Sequence, residues 1–201
     1  MSKILISGYY GFANAGDEAM LTAIIESLRQ VEKNVELTVL SGNPEDTAAK
    51  HQVCSVYRFN PLGIIRAMKD SELIISGGGS LLQDVTSKRS LLYYLSIIGL
   101  GKFFGKKVML FAQGIGPIRA KWARKLTSLV CNEADLIKVR DSESAAELIE
   151  MGVKPEKITV TADSVLSLNP VTKECGQYLL QEAGVDLTKP VIGISVRPWS
   201  G

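Results

Sequence analysis

The chain has 201 residues, of which 46% are hydrophobic and 22% charged, a balance that is ordinary for a soluble globular protein of one or two domains. Its formal net charge of +2 is too small to indicate nucleic-acid binding, which needs a concentrated basic surface. The longest apolar run, residues 91–100, is too short to cross a bilayer, for which about 20 residues are needed. We therefore predict a buried helix there, with contact to a membrane or another subunit as the alternative.

Cysteine usage indicates a cytoplasmic protein. The three cysteines, Cys54, Cys131 and Cys175, lie far apart without a CxxC pair or a metal-ligand spacing. The sequence also shows no signal peptide, so reduced thiols and no metal site are predicted. The single histidine, His51, lies in a polar stretch, and we expect it on the surface without a catalytic role.

Short apolar runs alternate with helical periodicities along the chain. Residues 17–31, for example, place Leu21, Ile24 and Leu28 on one helical face, with Asp17 as the predicted N-cap. Strands are predicted at residues 3–7, 35–40, 53–57, 73–76, 108–112, 136–139, 158–161 and 191–196. Helices are predicted at residues 17–31, 61–68, 88–104, 119–132, 142–151 and 173–183. Such alternation is typical of βαβ units, so we predict an α/β fold with a Rossmann-like parallel sheet and helices on both faces.

The last predicted strand, residues 191–196, looks like the first strand of a new α/β unit. The predicted domains are residues 1–188, an N-terminal Rossmann-like domain, and residues 189–201, the first strand of a truncated C-terminal domain. The alternative is that this strand completes the only sheet. Because an exposed strand edge promotes pairing between chains, we expect self-association, and a homo-oligomer stays open.

The first glycine-rich turn follows the first strand. Gly11 and Gly16 have the spacing of a P-loop, but Asp17 and Glu18 stand where a P-loop has Lys and Ser or Thr, and their charges would repel a phosphate. Together with Asn14, these residues are candidates for binding a sugar, whose hydroxyls would donate to the carboxylates, or for general-base chemistry. In the alternative, Asp17 only caps a helix and Glu18 is a solvated first-turn acid.

Two further glycine-rich turns follow later strands. In the second, Gly78 and Gly79 are expected to point backbone N–H groups at a ligand beside Ser80, Gln83 and Asp84, the alternative being a loop that only needs positive φ.

The third turn contains Gln113, Gly114 and Gly116. Here Pro117 is predicted as the first helical residue, which would leave the helix amides free for an anion beside Arg119. Because the carboxyl ends of parallel strands share one edge of a sheet, all three turns are expected to line one cleft.

Charged residues follow two more strands at the same predicted edge. Arg140 is suited to a bidentate clamp on a phosphate or carboxylate, with an ion pair to Asp141 or Glu143 as the alternative. Asp163 follows the next strand and is also predicted to face the cleft.

Taken together and in this order, these motifs resemble the polysaccharide pyruvyl transferase family, most closely its CsaB-type members from bacterial cell-wall metabolism. The matching segments are residues 7–12, Asn14, and residues 16–19, 77–84, 113–117, 140–142, 161–163 and 193–197. One departure is residues 164–166, Ser-Val-Leu, where the family usually has a proline and an aromatic residue.

The resemblance implies a two-domain protein of glycosyltransferase-B (GT-B) type, about twice this length, of which the chain is the N-terminal half. It implies pyruvyl transfer from phosphoenolpyruvate (PEP) to two hydroxyls of a sugar, forming a cyclic ketal and releasing phosphate. The implied acceptor is N-acetylmannosamine of a lipid-linked wall-polymer precursor, and the ketal helps to anchor surface-layer proteins. No cofactor is implied beyond PEP as the donor substrate, and the lipid-linked acceptor implies work at the inner membrane face.

The same resemblance assigns roles to the candidate residues. Arg140 would bind the phosphate or carboxylate of PEP, Asp17 and Glu18 would orient or deprotonate the acceptor, and the glycine amides would line the cleft. A His and a Lys of the family's C-terminal half have no counterpart here. The chain alone is expected to be inactive, because a cleft needs two walls. Two other functions stay open: a GT-B glycosyltransferase that uses a nucleotide sugar, and a non-catalytic module that binds a sugar or an anion.

Overall fold

The structure, a computed structural model, describes residues 1–194, and these fall into two units, residues 1–168 and residues 169 onward. The first unit holds seven strands: β1 Lys3–Tyr10, β2 Glu36–Ser41, β3 Cys54–Tyr57, β4 Leu73–Gly77, β5 Lys107–Gln113, β6 Leu136–Val139 and β7 Ile158–Val160. Its helices are α1 Ala15–Val31, α2 Pro44–His51, α3 Pro61–Asp70, α4 Lys88–Phe103, α5 Lys121–Glu133 and α6 Ser142–Glu150. Short 3-10 helices lie at Pro155–Lys157 and Ser164–Ser167.

All seven strands form one parallel sheet in the order β3-β2-β1-β4-β5-β6-β7. The predicted α/β fold with a parallel sheet is therefore confirmed. The strand order reverses between β1 and β4, and in sheets of this type the crevice at the carboxyl ends beside the reversal is where ligands bind.

Alternating side chains of the strands pack into two separate cores, one on each face of the sheet. Leu5 and Ile6 are neighbours on β1, yet Leu5 packs with α4 residues such as Leu95, whereas Ile6 packs with Ile24 of α1. Because successive side chains of a parallel strand are buried on opposite faces of the sheet, helices must cover both faces, as the sequence predicted.

Two elements differ from the sequence prediction. β1 continues three residues beyond residue 7 to Tyr10, because Tyr10 is buried, pairs with Ser41 across a register shift and donates its hydroxyl to the carbonyl of Gly77. The glycine Gly8 therefore lies inside a strand and not in a turn. Helix α2 was not predicted, although the Asn43 side chain caps it and a proline occupies its first turn.

The second unit contains one helix, α7 Lys173–Glu182, close to the predicted 173–183, with the Thr172 hydroxyl accepting a hydrogen bond from the Cys175 N–H. Residues 191–194 have no regular secondary structure, and the rest of the predicted strand 191–196 lies outside the described residues. The second-domain strand thus stays a prediction. Within residues 1–194, no helix is long and apolar enough to cross a membrane.

Candidate active site

The candidate residues gather where the parallel strands end. Gly11 follows β1, Gly78 follows β4, Gly114 follows β5, Arg140 follows β6 and Asp163 follows β7. Parallel pairing places these five strand ends at one edge of the sheet, and the contacts described below join them into one surface.

The start of α1 is capped by a different residue from the one predicted. The Asn14 side chain accepts hydrogen bonds from the N–H groups of Gly16, at 3.1 Å, and Asp17, at 3.4 Å. The prediction of Asp17 as the N-cap was therefore wrong, because Asn14 lies one position before the first helical residue and supplies the acceptor. Asn14 and Gly16 have a structural role in forming this turn.

Glu18 holds the first glycine turn instead of pointing into solvent. Its Oε1 accepts a 2.8 Å hydrogen bond from the Gly11 N–H, and its side chain is only 19% exposed. The other carboxylate oxygen, Oε2, lies 3.7 Å from Nε2 of His51. The interpretation of Glu18 as a solvated acid was therefore wrong. Glu18 fixes the backbone of the turn that borders the cleft.

His51 is not the surface residue that the sequence predicted. Its side chain is 10% exposed, and both its Nε2 and the facing Oε2 of Glu18 are enclosed without a hydrogen-bond partner. Its backbone carbonyl accepts from the Arg29 guanidinium, which anchors the end of α2 to α1. The polar neighbours of His51 in the sequence gave no sign of this burial, because they lie on the other faces of α2.

The second glycine turn uses two of its amides internally. The Gly78 N–H donates to the Phe111 carbonyl at 3.1 Å, and the Gly79 N–H points at the Met20 sulfur at 3.0 Å. The expectation that both amides face a ligand was therefore wrong. Both residues have positive φ, which is the alternative that the sequence left open. A Cβ added to Gly79 would lie 3.0 Å from Oδ1 of Asp17, so this turn and the start of α1 approach each other closely.

Asp84 fills the anion site that was predicted at the third turn. Its two carboxylate oxygens accept 2.9 Å hydrogen bonds from the N–H groups of Arg119 and Ala120. Helix α5 begins at Lys121, so the prediction of Pro117 as the first helical residue was wrong, and the N–H groups of Arg119 and Ala120 before the helix are occupied by Asp84. Partial desolvation raises the pKa of Asp84, but these two N–H groups outweigh it and hold the pKa below its usual range. Asp84 is therefore poorly suited to act as a general base.

Two other residues of the third turn are structural. Gln113 is fully buried, and its Nε2 donates to the Ser76 hydroxyl at 2.8 Å, so it does not line the cleft as predicted. Gly116 donates its N–H to the Leu82 carbonyl and precedes a cis peptide bond to Pro117. Both residues join the second and third turns.

Arg140 is the centre of the surface that these turns form. Its Nη2 donates to the Ser80 hydroxyl at 3.1 Å, its Nη1 lies 3.4 Å from the Asp163 carboxylate, and its Nε lies 3.3 Å from that of Asp141. A Cβ added to Gly114 would lie 2.7 Å from both Arg140 Nη2 and Ser80 Oγ. Glycine is thus needed at position 114 so that the guanidinium can lie against the backbone.

The ion pairs of Arg140 are loose. The Asp141 carboxylate accepts a 2.7 Å hydrogen bond from the Ser144 N–H, which together with the charge of Arg140 lowers the pKa of Asp141. Charge-assisted hydrogen bonds in proteins are usually about 2.7–2.9 Å long, so the 3.3 and 3.4 Å contacts are weak. With a third of its side chain exposed, Arg140 retains donors for an external anion. The predicted ion pair with Asp141 and the predicted clamp are therefore compatible.

Arg58 follows β3 at the same edge and is a further residue of this surface that none of the sequence motifs indicated. Arg58 is 5% exposed and is surrounded by aromatic rings. The signal in the sequence was the triplet Tyr57-Arg58-Phe59 directly after a strand, since a cation between two aromatic residues at a strand end is unusual in a solvated loop.

A family model described as polysaccharide pyruvyl transferase matches residues 14–193. The chain belongs to the polysaccharide pyruvyl transferase family. This match spans all three glycine turns except the first residues of the first, and it includes Arg140 and Asp163. The resemblance to this family that was drawn from the motifs is therefore confirmed at the level of the family. A search of curated protein sequences found no match.

Solved structures share the fold at low sequence identity. Anabaena Alr3699/HepE in complex with UDP and glucose is 13% identical with a TM-score of 0.57, and the match covers 92% of this chain and 50% of that one. A glycosyltransferase from Rickettsia africae is 11% identical with a TM-score of 0.57, covering 94% and 51%. UDP-GlcNAc 2-epimerase from Neisseria meningitidis, bound to UDP-GlcNAc, is 13% identical with a TM-score of 0.54, covering 90% and 50%. The chain thus has a GT-B-like fold and spans about half the length of these structures.

Proposed function

We propose that the chain is the N-terminal domain of a CsaB-type pyruvyl transferase that takes its pyruvyl group from PEP. The acceptor is N-acetylmannosamine of a lipid-linked wall-polymer precursor, and the ketal product serves surface-layer anchoring. Because such an acceptor stays in the membrane, the enzyme works in the cytoplasm at the inner membrane face. The observation that carries the proposal is the loosely paired guanidinium of Arg140 at the sheet edge of a chain that belongs to this family.

The reaction needs an anion clamp, a base and an acid. One sugar hydroxyl attacks C2 of PEP while C3 gains a proton. A second hydroxyl then attacks C2, the bond between C2 and the phosphate oxygen breaks, and the phosphate leaves. The two hydroxyl protons balance the methyl group and the released hydrogen phosphate. Arg140 would bind the phosphate or carboxylate of PEP, because its planar donors match either group.

We propose Asp17 as the base that deprotonates the acceptor hydroxyl, and we choose it because of its position. It lies near Gly79 of the second turn, and the neighbouring Ser80 contacts Arg140. A sugar hydroxyl between Asp17 and a PEP held on Arg140 would be positioned for deprotonation and attack. Glu18 accepts the Gly11 N–H and Asp84 accepts two backbone N–H groups, so we assign structural roles to both.

The test is a coupled assay of the whole transferase with PEP and an N-acetylmannosamine-containing lipid-linked acceptor. We expect one phosphate released for each ketal formed, the ketal being detected by mass spectrometry. Arg140→Gln should lower kcat/KM for PEP about 100-fold, whereas Arg66→Gln, an exposed position on α3, should leave it unchanged. Ketal formation at the unaltered rate with Arg140→Gln would contradict the role of Arg140. Absence of phosphate release by the intact enzyme would contradict the donor.

A second candidate is a glycosyltransferase that uses a nucleotide sugar, since the similar HepE structure was solved with UDP and glucose. Binding of UDP-glucose by the whole protein, measured calorimetrically without any PEP-dependent phosphate release, would favour it. If the protein bound a sugar or an anion but turned over neither donor, a non-catalytic binding module would be the better description.

A further inference from the structure

Arg58 is a buried cation for which residues 1–194 supply no anionic partner. It follows β3, its backbone N–H donates to the Ser41 carbonyl, and 5% of the residue is exposed. Among residues 1–194, no carboxylate lies within ion-pair distance of its guanidinium. Arginine is almost never fully buried unless it is paired, so a missing partner here calls for a ligand.

Aromatic rings enclose the guanidinium. The ring centroids lie 4.4 Å (Tyr93), 5.1 Å (Phe59), 5.3 Å (Phe12), 5.5 Å (Tyr94) and 5.9 Å (Tyr9) from its Cζ. We call these five rings and Arg58 the aromatic cage. Ring faces attract a cation, but they do not replace oxygen acceptors for the five N–H donors of a guanidinium.

Three polar atoms of the cage are enclosed without a hydrogen-bond partner: Arg58 Nε, Tyr93 Oη and Tyr94 Oη. The Arg58 guanidinium opposes the effect of burial on the pKa of both hydroxyls, through its charge and through a weak hydrogen-bonding contact with each that does not reach ordinary hydrogen-bond geometry. Burial dominates and raises the pKa of Tyr93, and that of Tyr94 to about 12, so both hydroxyls stay protonated. Each of the three groups is therefore a donor without a full partner, and a ligand that reached them would have to bring acceptor oxygens.

The outer rings of the cage are exposed to solvent. Phe59 is 61% exposed, and Tyr9 and Phe12, also exposed, stack on each other with centroids 4.3 Å apart. Tyr9 and Phe12 flank Gly11, whose N–H binds Glu18. The cage thus borders the first glycine turn, and the residues around it differ from those that contact Arg140.

We propose that the aromatic cage binds a phosphorylated sugar, with the phosphate on Arg58 and the two tyrosine hydroxyls and the sugar ring against Phe59 or the Tyr9–Phe12 stack. The Arg58 guanidinium favours a group with anionic oxygens, such as a phosphate. The exposed ring faces favour a flat or ring-shaped group next to it, such as a sugar. The binding of a sugar phosphate is argued from the cage alone. Only its identification with the acceptor, a lipid-linked sugar that carries phosphate, rests on the proposed function.

The test is calorimetric titration of the 201-residue chain with N-acetylglucosamine 1-phosphate. Inorganic phosphate, free N-acetylglucosamine and dodecyl phosphate are titrated separately to distinguish a sugar phosphate from a free phosphate or a lipid headgroup. We expect the sugar phosphate to bind more tightly than the other three. Arg58→Met should weaken its binding at least about tenfold, and Arg66→Met, on the exposed face of α3, should change it less than about twofold.

Phe59→Ala provides a second variant if Arg58→Met does not fold, because the exposed Phe59 ring contributes little to the core. It should weaken sugar-phosphate binding about fivefold and leave phosphate binding unchanged. Absence of sugar-phosphate binding, unchanged affinity in both variants, or equal affinity for dodecyl phosphate would overturn the proposal. PEP is titrated in parallel: its binding should depend on Arg140 and not on Arg58, so a failure of the cage and a failure of the donor site are separable.

Discussion

At the scale of single residues, Gly114 decides where the guanidinium of Arg140 lies. An added Cβ would lie 2.7 Å from Arg140 Nη2 and from Ser80 Oγ, both of which are ends of side chains that can move. The backbone of Gly114 is outside the left-handed region, so an alanine there would displace these two side chains without straining the backbone. The cost of Gly114→Ala therefore falls on the position of Arg140 and not on the fold.

We predict that Gly114→Ala raises the KM of the whole transferase for PEP about tenfold while the free energy of unfolding changes by less than about 1 kcal/mol. Steady-state kinetics and thermal unfolding measure the two effects. Gly99→Ala is the matched control, since nothing lies within 4 Å of its added Cβ and it sits inside α4. It should stabilise the protein by about 0.5–1 kcal/mol and leave KM unchanged. Unchanged KM in Gly114→Ala would contradict the placement of the donor on Arg140.

The sequence predicted which residues lie at the cleft edge better than it predicted their partners. Arg140 and Asp163 were expected at one edge, and the structure brings them within 3.4 Å. Asp84 and Gln113 were expected to meet a ligand, and they meet backbone N–H groups and Ser76 instead. A polar residue after a glycine turn has the same sequence signature in both cases, because the partner comes from a distant segment.

At the scale of elements, Asp84 fixes the segment that leads into α5. Ala120, the residue before α5, has no side chain that can cap the helix, and the carboxylate of Asp84 binds the N–H groups of Arg119 and Ala120 from 35 and 36 residues away. An asparagine at this position would keep one acceptor oxygen and lose the charge. We predict that Asp84→Asn lowers the free energy of unfolding by about 1–2 kcal/mol at pH 7, measured by urea denaturation.

The effect of Asp84→Asn should depend on pH. Because the folded pKa of Asp84 lies below its ordinary value, the stabilisation is fully present above the unfolded pKa of about 3.9 and is lost as the pH falls through the folded pKa. The difference between the two proteins should therefore be constant from about pH 7 to 5 and shrink below about pH 4. Asp70→Asn, at the exposed end of α3, is the control and should show no such difference. A stability difference between the wild type and Asp84→Asn that grows on acidification would contradict the role of the Asp84 carboxylate.

The ends of helices and strands were predicted correctly from the sequence only where contacts with distant residues do not lengthen the element. Long periodic helices such as α1 and α4 were predicted to within two residues. Helix α2 was missed because its eight residues are mostly polar and show little apolar periodicity. β1 was predicted too short because its last residue, Tyr10, is held by a hydrogen bond to Gly77 on a neighbouring strand.

At the scale of the whole molecule, the proposed site lies along one edge of the described sheet. Arg140, which we propose as the donor clamp, the proposed base Asp17 and the aromatic cage all follow the carboxyl ends of its strands. The solved structures of the same fold are about twice as long as this chain. Closing a site expels water and strengthens every charge interaction inside it, and this requires a second wall.

We therefore predict that the 201-residue chain binds PEP but forms no ketal. Arg140 alone provides a partly exposed clamp with weak competing ion pairs, so binding should be measurable by calorimetry and should be abolished by Arg140→Gln. Ketal formation needs an acid for C3 and exclusion of water, which one open wall does not supply. Mass spectrometry after incubation with PEP and the acceptor should detect no product, whereas the whole transferase should give one. Ketal formed by the 201-residue chain alone would show that a single domain suffices and that the cleft is completed in another way.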